Sequence, residues 1–170
     1  MNSVTTIPAN EIKSGIIAAR SKDPGSTLKF KLRVDWGQLY CKDGDVEDLI
    51  CCFSPSTLEE PEKSRFSFPT HVRGKVVHSF DELYERAKEW MATKVAEKQK
   101  DAQLLERVLQ IGHKREYVRN CTYIYHFAQP ITDEEFKAFG RHRDLVPFTC
   151  PCGFWRRESD RSFYVNESTD

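Results

Sequence analysis

No run in this 170-residue chain approaches the ~20 apolar residues that a membrane-crossing helix requires, so no helical span is expected. Net charge is absent too: 26 Lys and Arg balance 26 Asp and Glu. The chain therefore lacks the broad basic field that marks many nucleic-acid and anionic-membrane binders. Met1 to Asn10 has neither the basic start nor the apolar core of a secretory signal, and an intracellular protein, cytoplasmic or nuclear, is expected. Also missing are a phosphate-binding glycine loop, a Gly-x-Ser-x-Gly elbow, a His-Glu-x-x-His pair and any RNP, KH or helix-turn-helix signature. With no catalytic constellation in view, the chain reads as more binder than enzyme.

Six cysteines are present, Cys51 and Cys52 adjacent, which is unlike a secreted disulfide framework and suits a reducing compartment. Chemistry-bearing residues gather near the C-terminus: His113, Cys121, His126, His142, Cys150 and Cys152. Zinc takes four Cys or His ligands, and ligands close in sequence cost less entropy to assemble. His142, Cys150 and Cys152 with Cys121 are the candidate set for a structural zinc, His126 or His113 being alternatives for the fourth position. Cys150-Pro151-Cys152-Gly153 is one residue short of a zinc-ribbon half-site and the second half-site is missing. The competing reading is that these cysteines are small buried hydrophobes.

The pattern of elements reads as α+β, an antiparallel sheet packed on one long helix, with a small Cys/His-stabilised C-terminal region. A single domain over residues 1–170 is expected, with a flexible N-terminus over 1–7 and a Pro-containing loop region over 54–78. Ile12, Ile16, Ile17 and Ala19 predict an amphipathic helix over 8–20. Leu28, Phe30, Leu32, Val34 and Trp36 alternate with Lys29, Lys31, Arg33 and Asp35, which predicts a strand with one buried face. Leu39 to Cys41 continues beyond Gly37, Asp43-Gly44-Asp45 predicts a hairpin turn, and Val46 to Phe53 returns with Leu49, Cys51 and Phe53 on one face. A short strand at Gly74 to Val77 precedes Ser79-Phe80-Asp81-Glu82, which reads as a capping box opening one helix to Ile111 with an exposed polar middle at Glu97 to Asp101. Tyr117 to Phe127 predicts one central strand, Thr132 caps a short helix to about Gly140, and Leu145 to Phe148, Phe154-Trp155 and Ser162 to Val165 predict closing strands.

Three surfaces are candidates for recognition. Trp155, Arg156, Arg157, Tyr123, Tyr125 and Trp90 are the aromatic and Arg types that dominate protein interfaces. Lys29, Lys31, Arg33 and Arg119, near period-two aromatics, could stack and neutralise RNA or single-stranded DNA, although aromatics at that spacing more commonly form core. Leu39-Tyr40-Cys41-Lys42-Asp43, followed by Asp45, Glu47 and Asp48, is similar to the Leu-x-Cys-x-Glu segment by which viral proteins grip retinoblastoma-type pocket proteins, with Asp43 in place of the final Glu. The resemblance implies that Leu39 and Cys41 fill pockets, whereas alternation puts both on a buried strand face.

The enzyme readings are weaker. Cys121 with His126 or His113 would supply a nucleophile and base. Glu11-Ile12-Lys13 and Glu135-Phe136-Lys137 match half of a metal-dependent nuclease site, yet both fall on predicted helices. The expected function is therefore binding of a protein partner by an accessory or inhibitor-type protein of the kind viruses and phages encode, with RNA or single-stranded DNA as the alternative ligand.

Overall fold

The computed structural model describes residues 5–55, 65–150 and 152–168. The fold is α+β, with antiparallel sheets and one long helix. Internal contacts cluster into two compact units, Met1–Ala96 and Glu97–Asp170. The single domain expected over 1–170 thus carries two cores. No helix among the described residues is long and apolar enough to cross a membrane.

Unit 1 opens with β1 (Thr5–Pro8) and α1 (Ala9–Ser21). A three-stranded antiparallel sheet follows, in the order β2 (Lys29–Arg33), β3 (Gln38–Asp43), β4 (Val46–Cys52). Gly44-Asp45 turns β3 into β4 as expected, Gly44 having φ +56°. The turn between β2 and β3 occupies residues 34–37, which corrects two expectations. Leu39 to Cys41 does not continue β2 but returns beside it, and Trp36, expected on the buried face, is 65% exposed at the turn. Gly37 is required there. Its φ is +59°, its carbonyl accepts the Phe53 amide at 2.7 Å, and an added Cβ would stand 2.2 Å from the Phe53 carbonyl oxygen.

The face assigned to β4 also needs correction. The register slips between Leu39 and Tyr40, so that Leu39 opposes Cys51 while Tyr40 opposes Leu49. Ile50 is the extra residue of a β-bulge, and both Ile50 and Cys51 become buried. Beyond β4, β5 (Arg65–Phe68) pairs with β1, and β6 (Thr70–Val72) forms a hairpin with β7 (Lys75–Val77). Residues 5–7, read as part of a flexible terminus, Pro8, read as the first residue of a helix, and 65–68 and 70–72, read as loop, are therefore strand. Residues 56–64 of that loop region lie outside the described residues.

The helix α2 (Phe80–Ile111) is continuous, as expected. The Ser79 hydroxyl accepts the Glu82 amide at 3.2 Å, and the Glu82 carboxylate accepts the amide of His78 at 2.8 Å. Leu83, Tyr84, Ala87 and Met91 join Ile12, Ile16, Leu39, Cys41, Ile50 and Phe66 in the core of unit 1. Glu97 to Lys100 is exposed, and Leu105, Val108 and Ile111 belong to the core of unit 2. Leu109 is exposed.

In unit 2 the expected single strand over 117–127 is a hairpin of β8 (His113–Arg119) and β9 (Thr122–Phe127). Asn120 and Cys121 make the turn at φ +42° and +56°; Asn tolerates that region, and no glycine announces it. Thr132 opens α3 (Asp133–His142) with a complete capping box, its hydroxyl accepting the Glu135 amide while the Glu135 carboxylate accepts the Thr132 amide. Leu145 to Phe148, expected as a strand, leads instead into the short helix α4 (Val146–Thr149), with proline at its start. Strands β10 (Phe154–Arg157) and β11 (Ser162–Asn166) complete a sheet ordered β10-β11-β9-β8. One face of that sheet packs on α3 through Phe127, Phe136, Phe139 and Phe163, the Phe136 and Phe163 rings stacking at 4.1 Å.

Candidate functional site

Cys150 and Cys152 are joined as a disulfide, a state in which neither sulfur is a thiolate ligand. His142 ends α3 and is exposed, and Cys121 is exposed at the tip of the β8–β9 hairpin. Among the described residues no three of the His, Cys, Asp and Glu side chains stand together as a metal-binding group. The imidazoles offered as alternatives have other partners. His126 contacts the Ser162 hydroxyl and the Glu116 carboxylate, each at 3.0 Å. The His113 ring packs edge-on against Phe139 at 4.8 Å, and burial, with Arg143 nearby, lowers its pKa. None of these contacts pairs an imidazole with Cys121, as a nucleophile and base would require.

The other buried thiols are inert. Burial pushes Cys41 and Cys51 up to about 12. Leu39 and Cys41, the two anchors of the pocket-protein resemblance, are 1% and 0% exposed in the middle strand of their sheet, so neither is free to enter a partner's pocket. Both nuclease-like half-motifs do lie on helices: Glu11 and Lys13 on α1, Glu135 and Lys137 on α3, with Glu135 held by its cap and by Arg107.

The residues proposed for a protein interface fall mostly into the scaffold. Tyr125 is 3% exposed in the unit 2 core. Trp155 packs on Phe136, Phe148 and Phe163. Tyr123 is half-buried beneath the Arg115 guanidinium, 3.5 Å from its ring centre. Arg157 donates to the Ile131 carbonyl and pairs with Asp133, and Arg156 pairs with Glu158 over the Tyr164 ring. In unit 1, the Trp90 indole donates to Asp48 at 2.8 Å while Arg73 and Lys94 lie over its ring.

The cationic row is different. Lys29, Lys31 and Arg33 share the outward face of β2, as alternation predicts, while Arg119 belongs to β8 in unit 2. The register sets Lys42 directly across from Lys29, a like-charged pair that costs stability, and Tyr40 across from Lys31. The Arg33 guanidinium lies 5.2 Å from the Tyr40 ring centre and 5.9 Å from that of Trp36.

Between α1 and β2 runs a groove of about 670 Å³. Its floor includes Ile16, Ile17, Phe30 and Leu32, with Ile17 58% exposed, and its charged lining among the described residues is Lys13, Arg20, Lys29 and Lys31, with no acid. Arg20 donates to the Ser26 carbonyl at 3.3 Å. Lys13, Lys29 and Lys31 have no acidic partner among the described residues. β2 is also the end strand of its sheet, paired on one side with β3 and, among the described residues, with nothing on the other. The groove thus combines exposed apolar surface, uncompensated positive charge and a free strand edge.

A second cleft in unit 1, of about 350 Å³, joins the end of α1 to the start of α2, but its charges answer one another. Lys22 pairs with Asp81, and Asp23 accepts from Lys88 and from the Tyr84 hydroxyl. That cleft is a clamp between helices. Spacing exposes the lysine row in the sequence; the apposition of α1 to the sheet edge is tertiary and had no local signal. No family model, curated protein or solved structure matches the chain.

Proposed function

We propose that this chain is a non-enzymatic binding protein of accessory or inhibitor type that engages a protein partner through the groove between α1 and β2. The observation that carries the reading is the apolar floor of that groove, with Ile17 exposed, beneath four cations and, among the described residues, no acid. Apolar surface beside unpaired charge gains from a partner that covers the one and neutralises the other. The test is partner capture from extracts of the producing cells, with mass spectrometry, comparing the natural chain with Ile17→Glu and with a Lys29→Glu/Lys31→Glu double variant. Each is expected to lower recovery of a specific protein by at least tenfold, with unchanged far-ultraviolet circular dichroism. Recovery unaffected by both changes would remove the groove from the interface.

A second reading, single-stranded nucleic acid, draws on the outward face of the same sheet, where Lys29, Lys31, Arg33 and Lys42 surround Tyr40 and the exposed Trp36. Trp36 and Lys42 do not line the groove. Trp36→Ala and Lys42→Glu therefore weaken RNA retention if the ligand is nucleic acid, and leave partner capture intact if it is protein.

A further inference from the structure

We infer that the partner's docking element is an extended segment with alternating acidic and apolar residues, which adds as a fourth strand to the edge of β2 that pairs with nothing among the described residues. This rests on the groove being the interface, and goes further by stating the occupant's conformation and pattern. An edge strand turns every second N–H and C=O outward, and a peptide laid alongside satisfies them as a neighbouring strand would. Side chains of an added strand share faces with the residues they oppose. Those opposite Lys29, Lys31 and Arg33 point to the outward face, where acids meet cations. Those opposite Phe30 and Leu32 point into the groove toward α1, where Ile17 waits uncovered. One register therefore satisfies charge, apolar surface and backbone together.

The same residues argue against a second copy of this chain as occupant. Antiparallel pairing of β2 with its twin about Lys31 would set Lys31 against Lys31 and Lys29 against Arg33, and like charges directly opposed are repulsive. Edge lysines in this arrangement refuse self-pairing and admit an acidic strand.

The probe is a fluorescein-labelled peptide, Gly-Ser-Glu-Val-Glu-Ile-Glu-Ser-Gly, titrated with the full chain and read by fluorescence anisotropy. Saturable binding is expected, at least tenfold weaker when the three Glu are replaced by Lys. Lys31→Glu is expected to invert that preference, losing the Glu peptide and gaining the Lys peptide, which damage to the fold would not do. Backbone N-methylation separates strand addition from mere contact. Of two methylated peptides, one carrying the methyls on Val and Ile and one on the three Glu, one loses at least tenfold in affinity and the other does not, because only alternate amides face β2. Equal tolerance of both sets overturns the strand while leaving the groove reading intact. Absence of saturable binding up to about 1 mM of the chain overturns it as well. So does displacement of the peptide by a 15-nucleotide oligouridine whose own binding is lost in Trp36→Ala, which assigns the face to nucleic acid.

Discussion

The two units differ in what surrounds their candidate recognition residues. In unit 2 the rings are packed on one another: Phe136 alone contacts Tyr125, Phe127, Phe139, Phe148, Trp155 and Phe163. Five of its arginines pair with acids inside the unit, Arg107 with Glu135, Arg115 with Glu167, Arg141 with Asp101, Arg156 with Glu158 and Arg157 with Asp133. In unit 1, Lys13, Lys29 and Lys31 border a groove lined by no acid among the described residues, and Trp36 projects from a turn. Residue type alone therefore does not identify a recognition surface. An aromatic or Arg becomes available for binding only when the fold leaves it without an internal task; Trp36 is so placed, whereas the exposed rings of unit 2, Tyr117 and Phe154, lie against Tyr123 and Tyr164.

The largest test of this contrast removes the hub of the unit 2 rings. Phe136 is fully buried, and Phe136→Ala forfeits both its transfer free energy and the packing of its neighbours, a loss of about 3–5 kcal/mol. Trp36→Ala, at an exposed turn, stays within about 0.5 kcal/mol. Denaturant titration followed by tryptophan fluorescence and circular dichroism measures both. Comparable losses at the two positions would erase the distinction between a packed ring and a displayed one.

A middle-sized effect concerns a charge matched inside unit 2. Burial pushes the Glu135 carboxyl up, but the Thr132 amide, the Arg107 guanidinium and the Thr132 hydroxyl outweigh it and hold the pKa below the ordinary value. A depressed acid binds fewer protons folded than unfolded, so its contribution is complete above the unfolded value of 4.5 and disappears as pH falls through the lower folded one. Glu135→Ala is expected to cost about 1–2 kcal/mol at neutral pH through the lost cap and ion pair. It also flattens the acid side of the stability profile. His113 acts in a higher window: its folded pKa lies below 6.5, so stability is complete above 6.5 and declines as pH drops beneath it. His113→Phe removes that decline, and thermal melts between about pH 2 and 8 resolve the two windows. A profile unchanged in both variants would show that these groups do not couple to folding.

Local rules made much of this fold legible. The cap at Thr132, the apolar stripe of α1, the continuity of α2 through its polar middle and the alternation of β2 each rest on neighbours within a few residues. The failures have physical causes of the opposite kind. Pairing of β1 with β5 joins segments about sixty residues apart, as in Ile7 with Phe66, and no local pattern encodes that meeting. The Asn120-Cys121 turn lacks glycine, so aromatic periodicity ran across it. The bulge at Ile50 shifts a face by one residue without a mark in the composition. At the candidate site, Lys29, Lys31 and Arg33 were visible by spacing alone, whereas the edge position of β2 and the exposure of Ile17 depend on what does not pair with them.

The smallest expected effect is the sharpest probe of the comparison, because Arg156 looks like an interface residue by type and by exposure. Its guanidinium pairs with Glu158 and covers Tyr164 with 4.5 Å between charge and ring centre. A solvent-exposed pair of this kind contributes about 0.2–1 kcal/mol, screened further by salt. Arg156→Ala is therefore expected to shift stability by less than about 1 kcal/mol, with a double-mutant cycle against Glu158→Ala returning a coupling at the low end of that range. Partner recovery is expected to stay within about twofold of the natural chain, below the factor that a hot-spot residue commands. A tenfold loss of capture at Arg156, with Ile17→Glu silent, would transfer recognition to unit 2 and reverse the assignment of roles between the two halves of the chain.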